Sequence, residues 1–360
     1  MLYVYSYLHI EKNPGQLSLS YLFVYLFIYV TQCCYFFVSA MAPSRGPLPA
    51  QRHFLMLLAF TTVMMFLLNL YGPPSLPAPP PPSLSRTYLT SDCEDGRRLG
   101  NLMFNYASMV GIANTHNMTI VMRPEFRLFD IFHISALSSD HMENTLGLHN
   151  DYEEYGRRAC AYDIGIRKLE PINTRLHGYF QSWKYFNHSR ERVKREFRFK
   201  DHIAKPAREF IERSIQSRNF KQTPVVVGIH VRRGDYLEPY FSNYGYSTAD
   251  KEYFTKAMQY FTSKYSDVLF LVCSDDIAWC QDNIQGDNVV YSHSGSDVID
   301  LAILSQCTHS IMSTGSFGWW GAWLTNGTTI YYSKWPKPVS VLEYMVTKHD
   351  FFYPHWIPLP

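Results

Sequence analysis

The chain has 360 residues, of which 46% are hydrophobic, 18% are charged and 16% are aromatic, and its formal net charge is +2. Such a balance lacks the bulk positive charge that is typical of nucleic-acid-binding proteins, so no nucleic-acid partner is expected. The length beyond the N-terminal region is sufficient for one large α/β domain or for two smaller lobes, each with its own core.

Two uncharged apolar stretches, residues 17–38 and 54–71, come first in the chain. Each is close to the ~20 residues that a helix needs to cross the hydrocarbon core of a bilayer. Arg45 and Arg52 lie between them, and the next basic residue is Arg86. The positive-inside rule therefore predicts that 1–53 is cytosolic and that 54–71 is a signal-anchor, with everything after it in the lumen. A cleaved signal peptide is disfavoured, because 54–71 continues into prolines without a small-residue cleavage site.

The first 40 residues have a second interpretation. Met41 is an alternative start that would leave a short basic tail, one anchor and the rest of the chain. The extra apolar segment 17–38 would then belong to an extension from an upstream start. The topology of the remaining chain does not depend on this choice, because the basic residues before 54–71 are the same in both cases.

Residues 72–86 form a proline-rich stem, for which extended polyproline geometry and a semi-rigid spacer are expected. The luminal domain is predicted over 87–360. It carries three glycosylation sequons, at Asn117, Asn187 and Asn326, which fit a luminal location.

Seven cysteines divide between the apolar segment 17–38 and the domain. None forms a CxxC pair, which argues against a zinc site. In a luminal domain, two disulfides and one leftover thiol are possible among the five that follow the anchor, and their pairing cannot be read from the sequence. These five are Cys93, Cys160, Cys273, Cys280 and Cys307.

From residue 225 onward, short apolar runs rich in β-branched residues alternate with helical patterns. This rhythm predicts an α/β fold with a doubly wound parallel sheet in a C-terminal lobe, about 224–335, whereas 87–200 is less regular and can form a second lobe. The predicted strands are 118–122, 225–231, 267–272, 288–292, 308–313 and 328–333, and the predicted helices are 99–117, 249–265, 276–284, 297–307 and 316–326.

Ligands of such sheets bind at the carboxyl ends of the strands, which selects two places. After strand 225–231 come His230, Arg232, Arg233 and Asp235, and after strand 308–313 the sequence Ser-Thr-Gly-Ser leads into a helix. The planar guanidinium of arginine suits phosphate oxygens, and the free N–H groups at a helix start also bind phosphate. Together the two places predict a diphosphate clamp.

A diphosphate clamp suits transfer from a nucleoside diphosphate, whose negative charge grows as it leaves. Many transferases neutralise that charge with a metal held by a D-x-D motif, but the only acidic cluster here is Asp275-Asp276. The paired arginines can take the metal's role, so we expect a metal-independent reaction. Neither a Walker lysine motif nor a GxGxxG motif is present.

Each of these features also has a purely structural interpretation. The two arginines can be ion-pair partners, His230 can be a core histidine, and the Ser-Thr-Gly-Ser run can be a simple N-cap. Three tryptophans within 319–323 are more typical of a core than of a sugar-binding platform. Asp300, flanked by apolar residues in its helix, requires a polar partner such as the edge of a base.

At these residues the sequence resembles the galactoside α-1,2-fucosyltransferase family. VGIHVRRGDY resembles its H-x-R-R-x-D signature, GRRLGNLMFNYASMVGIA its N-terminal block, and AWCQDNI with DLAILSQCTHSIMSTGSFGWWGAWLTNG its C-terminal blocks. The resemblance covers roughly residues 94–335.

The resemblance implies a Golgi fucosyltransferase with a GT-B-like fold that uses GDP-fucose, inverts the anomeric carbon and needs no metal. It implies that His230 contacts the nucleotide, that Arg232 and Arg233 hold the diphosphate, and that Asp300 contacts guanine or ribose. Further donor contacts are implied for Gly100, Asn101, Thr314, Gly315, Ser316 and Phe317.

Two assignments stay open. The catalytic base is Asp235 or Glu238, unless Asp235 instead fixes the arginines and the leaving diphosphate itself takes the proton. The acceptor is a terminal β-galactoside, fucosylated on its 2-hydroxyl, although loop 236–248 departs from the family pattern. The alternatives are a core glycan or protein hydroxyl as acceptor, or a non-catalytic, lectin-like membrane protein that binds a sugar nucleotide. The oligomeric state cannot be read from the sequence.

Overall fold

The structure, a computed structural model, describes Thr61 and residues 86–92, 97–140, 150–155 and 158–360. The predicted segment 17–38, the anchor 54–71 apart from Thr61, and the stem up to residue 85 lie outside these residues. Among the helices that the structure does describe, none has the length and apolar character needed to cross a membrane. The chain divides into two units, Met1–Ser83 and Leu84–Pro360, and the elements below belong to the second.

The first sheet is wholly parallel in the described residues, with strand order β3-β2-β1-β5-β4. Its central connection is a long helix, α1, which is apolar on nearly every face and buried from Leu99 to Ala113 apart from Asn101. The elements are β1 (Tyr88–Ser91), α1 (Leu99–His116), β2 (Thr119–Met122), α2 (Leu128–Ile131), β3 (Leu137–Ser138), β4 (Asn150–Glu153), β5 (Thr174–His177), α3 (Arg190–Glu196) and α4 (Asp201–Gln216).

The second sheet is also parallel, with strand order β11-β10-β9-β6-β7-β8. Its central strands are almost continuously buried, as expected for a sheet covered on both faces. The elements are β6 (Val225–Val231), α5 (Pro239–Tyr244), α6 (Lys251–Thr262), β7 (Val268–Ser274), α7 (Ile277–Asn283), β8 (Val289–Tyr291), α8 (Asp297–Ser305), β9 (His309–Met312), α9 (Gly315–Thr325), β10 (Thr329–Tyr332), α10 (Val341–Met345), α11 (Lys348–Phe351) and β11 (Ile357–Leu359).

The order of this sheet reverses between β6 and β9. From β6 the chain winds outward through β7 to β8, and then returns to the other side of β6 to form β9, β10 and β11. Open α/β sheets bind ligands outside the carboxyl ends of the strands at such a switch point. The carboxyl ends of β6 and β9, the two places predicted from the sequence, flank this switch point.

An aromatic core joins α1 to α9. The indole rings of Trp319, Trp320 and Trp323 are fully buried, and Phe104 of α1 lies 4.5 Å from the first and 5.1 Å from the second, measured between ring centroids. The indole N–H of Trp320 donates to the Gly100 carbonyl at 3.1 Å. The interpretation of these tryptophans as core residues is confirmed, and their packing brings the start of α1 against the start of α9.

The fold confirms the α/β class and most of the predicted element positions. All of the predicted strands and helices listed above are present, with ends shifted by at most three residues. The region 87–200 has more regular secondary structure than the sequence pattern indicated. Its strands are short and are separated by long irregular segments, which hides the alternation of strands and helices in the sequence.

The two disulfides that the sequence left possible do not form among the cysteines that the structure describes. Cys160, Cys273, Cys280 and Cys307 are all free and buried, while Cys93 lies outside the described residues. The Sγ of Cys307 donates to the carbonyl of Ile303, one turn back on α8, at 3.3 Å. These thiols behave as small apolar core residues.

Candidate functional site

The carboxyl ends of β6 and β9 are joined by two hydrogen bonds. The backbone N–H of Arg232 donates to Ser313 Oγ at 2.8 Å, and the N–H of Ser313 donates to the His230 carbonyl at 3.0 Å. The arginines and the Ser-Thr-Gly-Ser run therefore meet at one edge of the sheet, as predicted. This places a cationic group and a helix start at the switch point.

Arg232 is held by two carboxylates and one ring. Its Nη1 donates to Asp275 and its Nη2 to Asp235, and both are close ion pairs. Its guanidinium carbon lies 5.0 Å from the centre of the Tyr236 ring. The side chain is largely buried, so its plane and direction are fixed before any ligand arrives.

Arg233 points toward α7. Its Nε donates to Asp276 at 3.0 Å, its backbone N–H donates to Asp275 at 2.9 Å, and its guanidinium stacks 4.1 Å from the Trp279 ring. Within the described part of the chain, its Nη1 and Nη2 donate no hydrogen bond. Two terminal nitrogens of a fixed guanidinium are the groups that bind phosphate oxygens.

Asp235 connects the two sheets through an arginine that the sequence interpretation missed. Its carboxylate accepts from Arg98 Nη2 at 2.6 Å in addition to Arg232. Burial raises the pKa of Asp235, but the hydrogen bond from Arg98 and the charge of Arg232 outweigh it and lower the pKa overall. A carboxylate with a depressed pKa is a poor proton acceptor. This geometry therefore favours the role in which Asp235 holds the arginines in place. The signal for Arg98 was its position directly before α1 in GRRLGN.

The start of α9 has polar groups without partners. Thr314 is the N-cap residue, but among the residues that the structure describes its side chain caps no N–H and its fully buried Oγ1 has no hydrogen-bond partner. The N–H groups of the first helical turn, which begins at Gly315, have no partners within the helix. A buried polar atom without a partner costs ~1–3 kcal/mol, which a bound anion would recover.

His230 lies against the same helix. Its Nδ1 is buried and has no hydrogen-bond partner within the described ranges, and its ring centroid is 5.2 Å from that of Phe317. A Cβ on Gly318 would lie 2.3 Å from this Nδ1, so only glycine permits the approach. Burial, together with the charge of Arg232, lowers the pKa of His230 to about 3. The ring is therefore neutral.

Gly100 and Asn101 face the same helix start from the other sheet. Asn101 Oδ1 accepts from Ser316 Oγ at 2.6 Å and from Gln181 Nε2 at 2.8 Å. A Cβ on Gly100 would lie 2.6 Å from the Phe317 nitrogen, so the backbones touch here. The structure thus brings the N-terminal motif to the clamp.

Asp300 lies in the first turn of α8. Its Oδ1 accepts from Ser292 Oγ at 2.6 Å and from Ser294 Oγ at 2.7 Å. Burial raises its pKa, although the serine hydroxyls act against this. Three residues earlier, Asp297 is bound through both carboxylate oxygens by Arg127 of the first sheet region, each at 2.8 Å. The expected polar partners of Asp300 are therefore the two serines.

The remaining candidate residues occupy more exposed positions. Glu238 is exposed at the N-cap of α5, and no ion pair to its carboxylate occurs among the described residues. The sequon residues Asn117, Asn187 and Asn326 are exposed, and the first and last are left-handed C-caps of α1 and α9. Their glycosylation stays a prediction.

The acidic residues near the arginines are engaged with them. Asp275 and Asp276 both accept from arginines, as described above. Within the ranges that the structure describes, no group of three or more His, Cys, Asp or Glu side chains is placed to hold a metal ion.

The sequence comparisons with known proteins point to one family. The profile of glycosyl transferase family 11 matches residues 77–359. Galactoside alpha-(1,2)-fucosyltransferase 1 of Rattus norvegicus is 32% identical over 283 residues, covering 73% of this chain and 70% of the relative. Galactoside alpha-(1,2)-fucosyltransferase 2 of Gorilla gorilla gorilla is 34% identical over 277 residues, covering 72% and 76%. The crystal structure of POFUT1 in complex with GDP matches with a TM-score of 0.45 and 12% identity, covering 68% of this chain and 98% of that one.

Proposed function

Because this chain belongs to glycosyl transferase family 11, we propose that it transfers L-fucose from GDP-fucose to the 2-hydroxyl of a terminal β-galactoside. The observation that carries this proposal is the meeting of Arg232 and Arg233 with the unpartnered start of α9 at the switch point of the second sheet. A nucleoside diphosphate is the ligand that matches both.

The arginines and the helix start bind the diphosphate. Arg232 and the free Nη atoms of Arg233 contact phosphate oxygens, while the first N–H groups of α9 and the Thr314 hydroxyl contact the opposite side. These donors are in position before the reaction, so they stabilise the charge that grows on GDP as the bond from fucose C1 to the phosphate oxygen breaks.

The nucleoside lies beyond the phosphates. Neutral His230 contacts the nucleotide through a ring nitrogen, with Phe317 beside it. Asp300 accepts from guanine or ribose donors, and its two serine partners hold the carboxylate in one orientation. Gly100, Asn101 and Ser316 shape the wall of the same cleft.

Inversion requires the acceptor oxygen to attack fucose C1 from the face opposite the leaving phosphate. The electron pair of the C1–O bond departs with GDP, a new bond forms from the acceptor oxygen to C1, and the acceptor hydroxyl loses its proton. Glu238 is the favoured base because its carboxylate is exposed, whereas the arginines occupy Asp235. A diphosphate oxygen is the alternative proton acceptor.

The reaction needs no metal in this proposal. Two guanidinium groups supply the positive charge that a divalent cation would otherwise supply. Dialysis against EDTA should leave transfer unchanged, and recovery of activity only after a divalent cation is added would refute this part of the proposal.

The surrounding architecture is a GT-B-like pair of lobes on a membrane anchor. The two parallel sheets are the lobes, with the donor side in the second. The anchor 54–71, the stem 72–86 and the luminal domain 87–360 complete a single-pass type II protein of the Golgi, which the three exposed sequons fit. A mobility shift of the full-length protein after glycosidase treatment tests the luminal location, and absence of a shift would count against this topology.

A transfer assay with linkage analysis tests the whole proposal. Labelled GDP-fucose is offered with a panel of β-galactosides, a core glycan and a peptide hydroxyl acceptor. We expect label on the galactosides, linked to the 2-hydroxyl. Label on the core glycan or peptide alone would favour a different acceptor. GDP-fucose binding without transfer to any of these acceptors would favour the non-catalytic alternative. Absence of both binding and transfer would refute GDP-fucose as the donor.

A further inference from the structure

An aromatic surface begins directly after the clamp arginines. Five rings occur within eleven residues, and each lies within 6.5 Å of another, measured between ring centroids. Tyr236 is 4.5 Å from Tyr246, and Tyr240 packs edge-on against Phe241 at 5.3 Å. We define the aromatic surface by these residues: Tyr236, Tyr240, Phe241, Tyr244 and Tyr246.

The inner end of this surface touches both halves of the clamp. The Arg232 guanidinium lies 5.0 Å from the Tyr236 ring centre. The Tyr236 hydroxyl lies 3.3 Å from the position that a Cβ on Gly315 would occupy, at the start of α9. Tyr236 therefore borders the place where the leaving diphosphate binds in the proposed function.

The outer end of the surface is open to solvent. Tyr240 is 74% exposed, and its neighbour Leu237 is 52% exposed. The surface thus runs without interruption from the clamp to an uncovered ring. A contiguous aromatic patch that reaches the surface beside a site is typical of a place where a ligand or partner binds.

The aromatic surface is supported from behind by the segment 337–345. Lys337 Nζ donates to the Ser242 carbonyl at 3.0 Å, and its backbone N–H donates to the Gly245 carbonyl at 2.9 Å. The Tyr244 hydroxyl donates to Met345 Sδ at 2.8 Å. These contacts hold α5 in place, so its rings are arranged before a ligand binds.

The chemistry of the surface suits a pyranose sugar. The C–H face of a pyranose is apolar and covers an aromatic ring, while its hydroxyls need polar partners, which tyrosine supplies. Burial raises the pKa of Tyr236 and raises that of Tyr246 to about 12, so both phenols stay protonated and can donate. A protein partner could also cover exposed rings, but it would not need their inner end to lie on the clamp.

We propose that the aromatic surface binds the acceptor glycan, with the terminal galactose at the Tyr236 end and the preceding sugar stacked on Tyr240. This inference rests on the proposed function, since it takes the clamp as the donor site. Tyr240 is then a specificity-determining residue: it contacts the penultimate sugar and does not contact the galactose that reacts.

The test compares two acceptors in four proteins. Initial rates are measured with a β-galactosyl disaccharide and with methyl β-galactoside, for the wild type, Tyr240→Ala, Tyr240→Phe and Tyr155→Ala. Tyr155 is the matched control, because it is 76% exposed and follows β4 at the edge of the first sheet. Both tyrosines are exposed, so these variants should fold.

We expect Tyr240→Ala to raise KM for the disaccharide about tenfold, the size of one lost stacking contact. KM for methyl β-galactoside and for GDP-fucose should stay unchanged in this variant. Tyr240→Phe and Tyr155→Ala should behave like the wild type with both acceptors. An unchanged disaccharide KM in Tyr240→Ala, or an equal rise in Tyr155→Ala, would overturn the inference while leaving the proposed function intact.

A binding measurement separates the two proposals. Saturation-transfer NMR with the disaccharide and GDP reports contact whether or not transfer occurs. We expect signals from the penultimate sugar with the wild type and their loss in Tyr240→Ala. If the wild type transfers fucose to no galactoside, the proposed function fails; if the two proteins give the same NMR signals, the aromatic surface is not the acceptor site.

Discussion

The two sides of the clamp differ in how their polar groups are satisfied. On the arginine side, Arg232 and Arg233 are bound by three carboxylates, those of Asp235, Asp275 and Asp276. On the helix side, Thr314 Oγ1 and His230 Nδ1 are buried and have no hydrogen-bond partner in the described part of the chain. The charges of the arginine side are thus paired without a ligand, and only the Nη groups of Arg233 stay available there, whereas the helix side is incomplete.

This difference separates what each side contributes to binding. A phosphate that reaches the arginines must compete with carboxylates, so the gain is the difference between two ion pairs and is modest for affinity. A phosphate that reaches the helix side satisfies donors that otherwise cost free energy. The arginine side therefore mainly stabilises the negative charge of the transition state, and the helix side mainly increases the affinity for the diphosphate.

The largest effect should come from the arginine side. Arg232→Ala removes a fixed cation from the leaving group and removes one ion-pair partner each from Asp235 and Asp275. We expect transfer to fall about 10³-fold or more, with a smaller loss of GDP-fucose affinity and with lower stability. Initial rates, calorimetric binding and thermal unfolding measure the three effects.

The control for this variant is Arg127→Ala, which also removes an arginine from an ion pair, here with Asp297. It should keep near-normal activity. Near-normal activity in Arg232→Ala itself would show that Arg232 does not bind the diphosphate of the donor.

The second effect is a pH dependence on the helix side. Burial and the charge of Arg232 lower the pKa of His230 to about 3, so the unfolded chain binds the extra proton at a higher pH than the folded chain does. The contribution of His230 to stability is complete above its ordinary pKa of about 6.5 and falls as the pH drops toward 3, by about 2 kcal/mol at pH 5. Denaturant unfolding of the wild type and His230→Gln between pH 4 and 8 measures this.

We expect the two unfolding profiles to be parallel above pH 6.5 and to diverge below it. A histidine that titrates normally in the folded protein, seen by NMR as a ring transition near pH 6.5, would contradict the buried and neutral state.

The third effect should have opposite signs for stability and for binding. Thr314→Val keeps the shape of the side chain and removes a buried hydroxyl that has no partner. We expect stability to rise by up to ~1 kcal/mol, while GDP binding weakens about tenfold. Thermal unfolding and calorimetry on the same samples give both values.

Thr329→Val is a matched control for Thr314→Val. Thr329 Oγ1 is also buried without a partner, but it lies at the start of β10, at the opposite end of the strands from the clamp. This variant should gain similar stability and bind GDP normally. Equal GDP binding by both variants would remove Thr314 from the site.

The smallest effect concerns the two arginines that join the sheets. Arg98 and Arg127 form exposed or half-exposed ion pairs, so each alanine variant should lose less than ~1 kcal/mol of stability. Arg98→Ala should also reduce transfer a few-fold, because Asp235 then fixes Arg232 less firmly. Equal transfer rates in the two variants would confine Arg98 to a structural role.

The second sheet was the more predictable part of the fold. Its strands are buried on both faces, so they read as continuous β-branched runs such as VVVGIHV, with amphipathic helices between them. The first sheet was less readable, because strands such as β3 and β4 are short and carry polar residues. The state of the cysteines could not be predicted, because sequence spacing does not tell whether two thiols meet in space.

By itself, the sequence determined the two strand ends, the helix start after β9 and the polar surroundings expected for Asp300. These are local properties, since they follow from the residues next to one another in the chain. Only the tertiary structure decided that Arg98 joins the site, that Asn101 accepts from Ser316 there, and that Asp275 and Asp276 neutralise the arginines. Such contacts join residues that are 43 to 215 positions apart. Those of Arg98 and Asn101 depend on how Trp320 of α9 packs against Phe104 of α1.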